Sequence, residues 1–207
     1  MKILIVSSFL PYPLFNGGHI RLFNLIKNLS ENHEITLICE KRIKQTANDL
    51  GEVSKICKKV ITVNRKKQWS LENVLKSGIS LEPFLIAGHK SQQMKKEIEK
   101  ELSEQDFDLI HVETFYVMQN LPKVNIPVVL AEHNIEYLVY QRYVDKSPFF
   151  LKPLLKVDVL KLKRIEKICW KNADRLIAVS DQEQKLMARK DIQIVPNGVD
   201  LEKFRMK

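Results

Sequence analysis

A few residues in this chain have types and spacings that permit chemistry. His133 stands between Glu132 and Asn134, with Glu136 about one helical turn further on. An imidazole in that company can donate to substrate oxygens or act as a general base. It can equally be a histidine at a helix start satisfied by backbone, with Asn134 serving as the helix cap. His111 and Glu113 lie two apart, so in a strand their side chains share a face. With His133 on a neighbouring strand they make the one combination that could serve a metal-dependent hydrolase. Gly17-Gly18 precedes an apolar stretch of helical period. Two glycines there let backbone N–H groups approach a phosphate at the helix N-terminus, although the pair also reads as a turn chosen for positive φ. Pro196-Asn197-Gly198 carries a strong turn signal.

These residues need elements to hold them, and the chain supplies an alternation. Short apolar runs begin at Lys2-Ile3-Leu4-Ile5-Val6-Ser7 and recur at 34–39, 60–63, 107–112, 126–131, 175–180 and 192–195. Between them lie segments of helical character. Ile20, Leu22, Phe23, Leu25, Ile26 and Leu29 form one helical stripe, followed by stretches near 43–57, 90–105 and 181–188 and a long helical region after 131. Residues 65–88 are irregular and read as short helices. Strands alternating with helices predict an α/β domain, a doubly wound Rossmann-like parallel sheet of about seven strands with helices on both faces. Ligands in such sheets bind beyond the carboxyl ends of the strands. Ser7-Ser8, Gly17-Gly18-His19, His111, Glu113, Glu132-His133-Asn134, Ser180-Asp181 and Asn197-Gly198 all fall there.

Composition narrows the function classes. The 207 residues are 44% hydrophobic and 29% charged, with 6 Gly and 8 Pro and no biased tract, which excludes disorder and fibrous structure. No apolar run approaches the roughly 18 residues of a spanning helix. The apolar start, broken by Pro11 and Pro13, reads as a strand and loop rather than a secretory leader. Cys39, Cys57 and Cys169 are too few and too scattered for a disulfide framework or zinc site, so a cytoplasmic setting is expected. The third glycine of the dinucleotide fingerprint and the P-loop are both missing, which disfavours NAD and ATP enzymes. The net charge of +9 favours anionic partners, but no nucleic-acid motif or aromatic platform accompanies it. Residues 152–175 hold eight basic and three acidic residues around Leu155, Val159, Leu162, Ile165 and Cys169 at helical spacing. That is a basic amphipathic helix, which can lie on an anionic membrane surface or pack its apolar stripe into the core.

Four stretches in order, KILIVSSFLPYPLFNGGHIRLFNLIKNLSENHEITLI, AEHNIEYL, KNADRLIAVSDQEQ and IVPNGVDLEKF, resemble the N-terminal half of GT-B fold, family 4-type glycosyltransferases. The resemblance implies a two-domain enzyme reacting in the cleft between domains. Its N-terminal domain would hold the acceptor, a saccharide or lipid-linked intermediate of envelope or capsular polysaccharide synthesis. Its C-terminal domain would hold a nucleotide-sugar donor. Transfer would proceed with retention and without a bound metal or other cofactor. Gly17 and Gly18 look like the glycine loop that approaches the donor phosphates, and His133 like the family's catalytic-region histidine. Arg21 is a candidate anion contact, and Asn197 and Gly198 look like the turn leading into the second domain. Glu132, Asn134, Glu136, His111 and Ser180 are acceptor-side candidates.

The resemblance also implies a departure. The family's donor domain carries two glutamates separated by seven residues, and no such pair occurs here; Glu166/Asp174 and Glu183/Asp191 have the offset with aspartate second, but in the wrong half. The expected organisation is a domain over residues 1–200 and the start of a linker at 201–207, with Leu201 and Phe204 awaiting further chain. Alone, the chain is expected to have little or no transferase activity. The alternatives are a stand-alone acceptor-binding module working beside a separate donor-domain chain, and a metal-dependent hydrolase using His111, Glu113 and His133. A location in the cytoplasm, peripheral on the inner face of the membrane through helix 152–175, goes with the transferase reading.

Overall fold

A computed structural model of the chain describes residues 1–65, 80–187, 189 and 191–198. The expected linker at 201–207 lies outside the described residues, as does most of the irregular region. The seven predicted strands form one parallel sheet: β1 (Lys2–Ser7), β2 (Glu34–Lys41), β3 (Lys59–Asn64), β4 (Leu109–Glu113), β5 (Val128–Ala131), β6 (Arg175–Ala178) and β7 (Ile192–Ile194). Their order is β3-β2-β1-β4-β5-β6-β7. The chain therefore winds outward one way from β1 and then the other way from β4. The crevice between the loops that follow these two strands is the topological switch point, where such sheets bind ligands.

The helices are α1 (Gly17–Leu29), α2 (Ala47–Ser54), α3 (Phe84–Ala87), α4 (Gln92–Glu104), α5 (Glu136–Asp145), α6 (Lys152–Asn172) and α7 (Asp181–Met187), with a 3-10 helix at Phe115–Asn120. The long helical region after β5 is thus two helices, broken at 146–151 around Pro148, with Pro153 in the first turn of the second. Among the described residues no helix is long and apolar enough to cross a membrane.

Side-chain alternation assigns each strand residue to one of two cores. Ile3 and Ile5 of β1 pack with Ile35, Leu37 and Cys39 of β2 against Leu22 and Ile26 of α1 and Val53 of α2. Leu4, Val6, Ile38, Ile110, Val112, Leu130 and Leu176 face the other way, toward Met94 and Ile98 of α4 and Leu162 and Trp170 of α6. Helices therefore cover both faces. The register pairs Ile5 with His111 and Ser7 with Glu113, so β4 presents two polar residues on the α1 face where its neighbour presents Ile5. Helix α6 turns Val159, Leu162 and Cys169 into the core, with Leu155 and Ile165 packed against it. The apolar stripe noted in the sequence is thus the core-facing one.

Candidate functional site

The α1 face explains how three distant residues meet. Ala131, the last residue of β5, lies opposite Glu113, and the bend at His133 just beyond it brings that ring to the same carboxylate. Nε2 of His111 donates to Oε2 of Glu113 at 2.7 Å. Nε2 of His133 donates to the other oxygen, Oε1. Glu113 is fully buried. Burial alone would raise its carboxyl, but the hydrogen bonds and charges of His111 and His133 outweigh it and hold the group at about 2. An ionised carboxylate only accepts, so it fixes a proton on Nε2 of both rings and leaves the Nδ1 edge of His133 to face elsewhere.

That edge faces α1. A Cβ on Gly18 would lie 3.1 Å from Nδ1 of His133, whereas one on Gly17 would meet nothing within 4 Å. Neither glycine has positive φ. They are the first two residues of α1 rather than a loop before it, so their N–H groups are among the unpaired donors of the helix N-terminus. Gly18 is glycine because the imidazole is there, not because of its backbone angle. Asn16 caps the helix, its Oδ1 accepting from His19 N at 3.0 Å and from His19 Nδ1 at 2.8 Å. His19 is buried between Phe9 and Phe15, with ring centroids 4.7 and 4.3 Å away. Burial, then the nearby charges of Arg42 and His133, lower its pKa to about 4. Thr114, directly after Glu113, has φ of 67°, a strained angle for a β-branched residue, and its hydroxyl pairs with Ser8 Oγ at 3.1 Å.

The remaining candidates take different places. Arg21 donates from Nη1 to Pro196 O at 3.2 Å and Asn197 Oδ1 at 3.1 Å, tying α1 to the segment after β7. Gly198 has open space about it. Ser180 starts α7, its Oγ accepting from Glu183 N at 3.2 Å. Glu132 has the opposite parity to Glu113, and its carboxylate is buried on the α6 face, accepting from Trp170 Nε1 at 3.1 Å and Phe115 N at 3.4 Å. Burial, reinforced by the charge of Glu166, raises its pKa well above the usual carboxylate range. It does not open onto the strand ends as an acceptor contact would. Asn134 does not cap α5. The N-cap is Ile135, which has no side-chain bond, and Glu166 takes the role from α6, accepting from Glu136 N at 2.8 Å and Tyr137 N at 3.0 Å. Burial of the Glu136 side chain raises its carboxyl, against hydrogen bonds from Tyr116 and Asn134.

Nothing in this geometry supports the hydrolase alternative. His111, Glu113 and His133 do converge, but as a hydrogen-bonded chain in which Glu113 uses both oxygens. Among the described residues no three His, Cys, Asp or Glu side chains are disposed to hold a metal ion. Burial pushes the Cys57 and Cys169 thiols up to about 12. Sequence reasoning missed Glu113 as the orienting partner of His133, because that pairing depends on the register of β4 against β5 and on the bend after Ala131. It also missed Asn16 and Glu166, whose roles depend on caps.

Comparison with known proteins agrees. The chain is 25% identical over 187 residues to an uncharacterized 44.6 kDa protein in the cps region of Klebsiella pneumoniae, covering 88% of this chain and 46% of that one. It thus spans about half the length of the curated relative it matches. Similar solved structures include Medicago truncatula UGT71G1 complexed with UDP-glucose, with a TM-score of 0.59 and 13% identity over 97% of this chain and 52% of that one. A UDP-glucosyltransferase from Polygonum tinctorium aligns with a TM-score of 0.54 and 13% identity over 96% and 52% of the two chains. At such identity these two show the shared fold alone. The profile of Glycosyltransferase Family 4 matches residues 15–203, a span that runs from Gly17 and Gly18 through His133 to Asn197, and the chain belongs to that family.

Proposed function

We propose that this chain is the acceptor-side domain, residues 1–200, of a retaining glycosyltransferase that moves a sugar from a nucleotide-sugar to a saccharide or lipid-linked acceptor. A donor-binding domain joined through the linker at 201–207 would complete it. The observation that carries this reading is the contact of His133 with Gly18 on one side and the ionised Glu113 on the other, at the switch point of the sheet. The family match and the half-length alignment support it. The hollow bordered by Met1, His33 and Asp108 is at the amino edge, away from these residues.

Each residue has a task in this reading. Departure of a nucleoside diphosphate builds negative charge on phosphate oxygens, and N–H groups of Gly17 and Gly18 at the positive end of α1 stabilise it without any bound metal. The bare Cα atoms allow the phosphates to come close. His133, its ring fixed by Glu113, presents Nδ1 to the hydroxyls of the transferred sugar or the acceptor. Arg21 holds Pro196 and Asn197, and so sets where the chain leaves for the second domain. Without that domain the isolated chain binds acceptor and does not turn over.

The test is sugar transfer by a protein that joins this chain to its donor domain. His133→Ala is expected to lower kcat by about 100-fold or more with the circular dichroism unchanged. Unchanged turnover would remove His133 from the mechanism.

A further inference from the structure

Helices α5 and α6 form a hairpin whose placement follows from its hydrogen bonds. Glu166 caps the start of α5, so position 166 of α6 is level with the carboxyl edge just beyond β5. Lys152 Nζ reaches the carbonyl of Asp145 at 2.9 Å, at the other end of α5. After α6, the Asp174 carboxylate accepts from Val128 N at 2.8 Å, at the amino end of β5. The last turns of α6 therefore span the sheet. Residues 152–165, about 20 Å of helix, overhang the carboxyl edge, and the 146–151 turn is the tip.

The outer surface of this overhang is apolar where solvent should be. Phe149 is 84% exposed, Phe150 67%, Leu154 66%, Leu160 65% and Val157 50%. Leu154, Val157 and Leu160 follow at three-residue intervals on the side of α6 opposite Val159 and Leu162, so this is a second stripe that the core does not use. Phe149 and Phe150 meet edge to face at 5.8 Å. A contiguous patch of this kind marks an interaction surface rather than scattered exposure.

The charge around it selects the partner. Lys146, Lys156, Arg164, Lys167 and Lys171 are exposed beside or along the stripe. The two acids between residues 146 and 173 are turned inward: Asp158 accepts from Phe84 N at 3.0 Å, and Glu166 is fully buried. Asp145 at the end of α5 is exposed, but five basic residues outweigh it, and an apolar stripe in so basic a face fits the interface of a lipid bilayer with anionic headgroups. We infer that the α5–α6 hairpin docks the domain on an anionic membrane. Phe149, Phe150, Leu154, Val157 and Leu160 enter the acyl boundary, and Lys156, Arg164 and Lys167 meet headgroup phosphates. The hairpin overhangs the strand ends, so docking holds the carboxyl edge of the sheet close to the bilayer. The inference is independent of the transfer reading, because vesicle binding needs no turnover.

The test is sedimentation of the chain with vesicles of phosphatidylcholine alone, or of phosphatidylcholine and phosphatidylglycerol in equal parts. Binding to the mixed vesicles and not to the neutral ones is expected. Phe149→Ser with Phe150→Ser should lower the partition coefficient about tenfold or more. Lys156→Glu with Arg164→Glu and Lys167→Glu should lower it by about 100-fold. Lys27→Glu with Lys96→Glu and Lys123→Glu makes the same charge change on other surfaces and should cost far less. Absence of binding to mixed vesicles would overturn the inference, as would equal losses in the two charge triples. So would a dimer in analytical ultracentrifugation that the Phe149/Phe150 variant dissolves while vesicle binding persists. If the charge triple fails to fold, the phenylalanine pair, on an exposed tip, decides.

Discussion

Glu113 and Glu132 are both buried carboxylates at the ends of adjacent parallel strands, and they differ in almost everything else. Parity sends Glu113 to the α1 face and Glu132 to the α6 face. Glu113 receives hydrogen bonds from two imidazoles and is held at about 2. Glu132 receives them from an indole and a backbone amide, has the charge of Glu166 nearby, and is pushed well above the usual range. Burial opposes charge equally at both places. What differs is whether the donors can carry or share a positive charge. The ionised site is at the switch point beside Gly18. The other sits under the helical hairpin and serves packing.

The largest expected consequence is in stability. Glu113→Gln should cost about 2–4 kcal/mol in urea unfolding, because an amide NH2 would confront an imidazole N–H in a buried place. Glu132→Gln removes a carboxyl whose charge burial already disfavours, and its amide NH2 would face only the long contact from Phe115 N at 3.4 Å, so it should cost under about 1 kcal/mol. Equal costs would erase the distinction between the two carboxylates.

The pH dependence sharpens it. The folded value for Glu113 is depressed from 4.5, so its stabilisation is whole above pH 4.5 and drains as pH falls toward about 2. Glu113→Gln should lack that decline. His19, lowered from 6.5 to about 4, adds a loss as pH falls through that window, since the unfolded chain takes up the proton first. Glu166, chiefly through burial, is raised from 4.5 to about 7, and its sign is opposite: it costs stability as pH rises from 4.5 to about 7. Urea midpoints measured across pH for the parent chain and Glu166→Gln should therefore separate progressively as pH rises.

The smallest expected effects distinguish two adjacent glycines. Gly17→Ala should be neutral or stabilise by up to about 1 kcal/mol, since alanine is the better helix former and nothing obstructs it. Gly18→Ala should leave the melting temperature nearly unchanged but shift His133 by a few tenths of an ångström. In a protein completed with its donor domain, that shift should lower turnover by about tenfold. Equal activities for the two variants would break the link between Gly18 and His133.

Much of the sheet was legible because buried parallel strands are continuous apolar runs, as at Ile3 to Val6 and Ile35 to Cys39. The face shared by His111 and Glu113 could be read from a two-residue spacing. The pairing of Glu113 with His133 could not, because it depends on the β4–β5 register. The α5 cap was misplaced at Asn134 because the true donor of that function, Glu166, is thirty residues further along the chain and meets α5 only through packing. The basic helix is legible in the sequence, but its two apolar stripes are not told apart there. Only burial separates Val159 and Leu162, in the core, from Leu154, Val157 and Leu160, outside it.

The central claim is that an ionised Glu113 fixes the ring of His133 so that its Nδ1 edge meets Gly18. Long-range proton–nitrogen NMR on the histidine-labelled chain at neutral pH tests this directly, with His111→Ala and His133→Ala assigning the signals. The result expected is a proton on Nε2 of both His111 and His133, lost as a fixed preference in Glu113→Gln. A His133 ring carrying its proton on Nδ1 alone would contradict it.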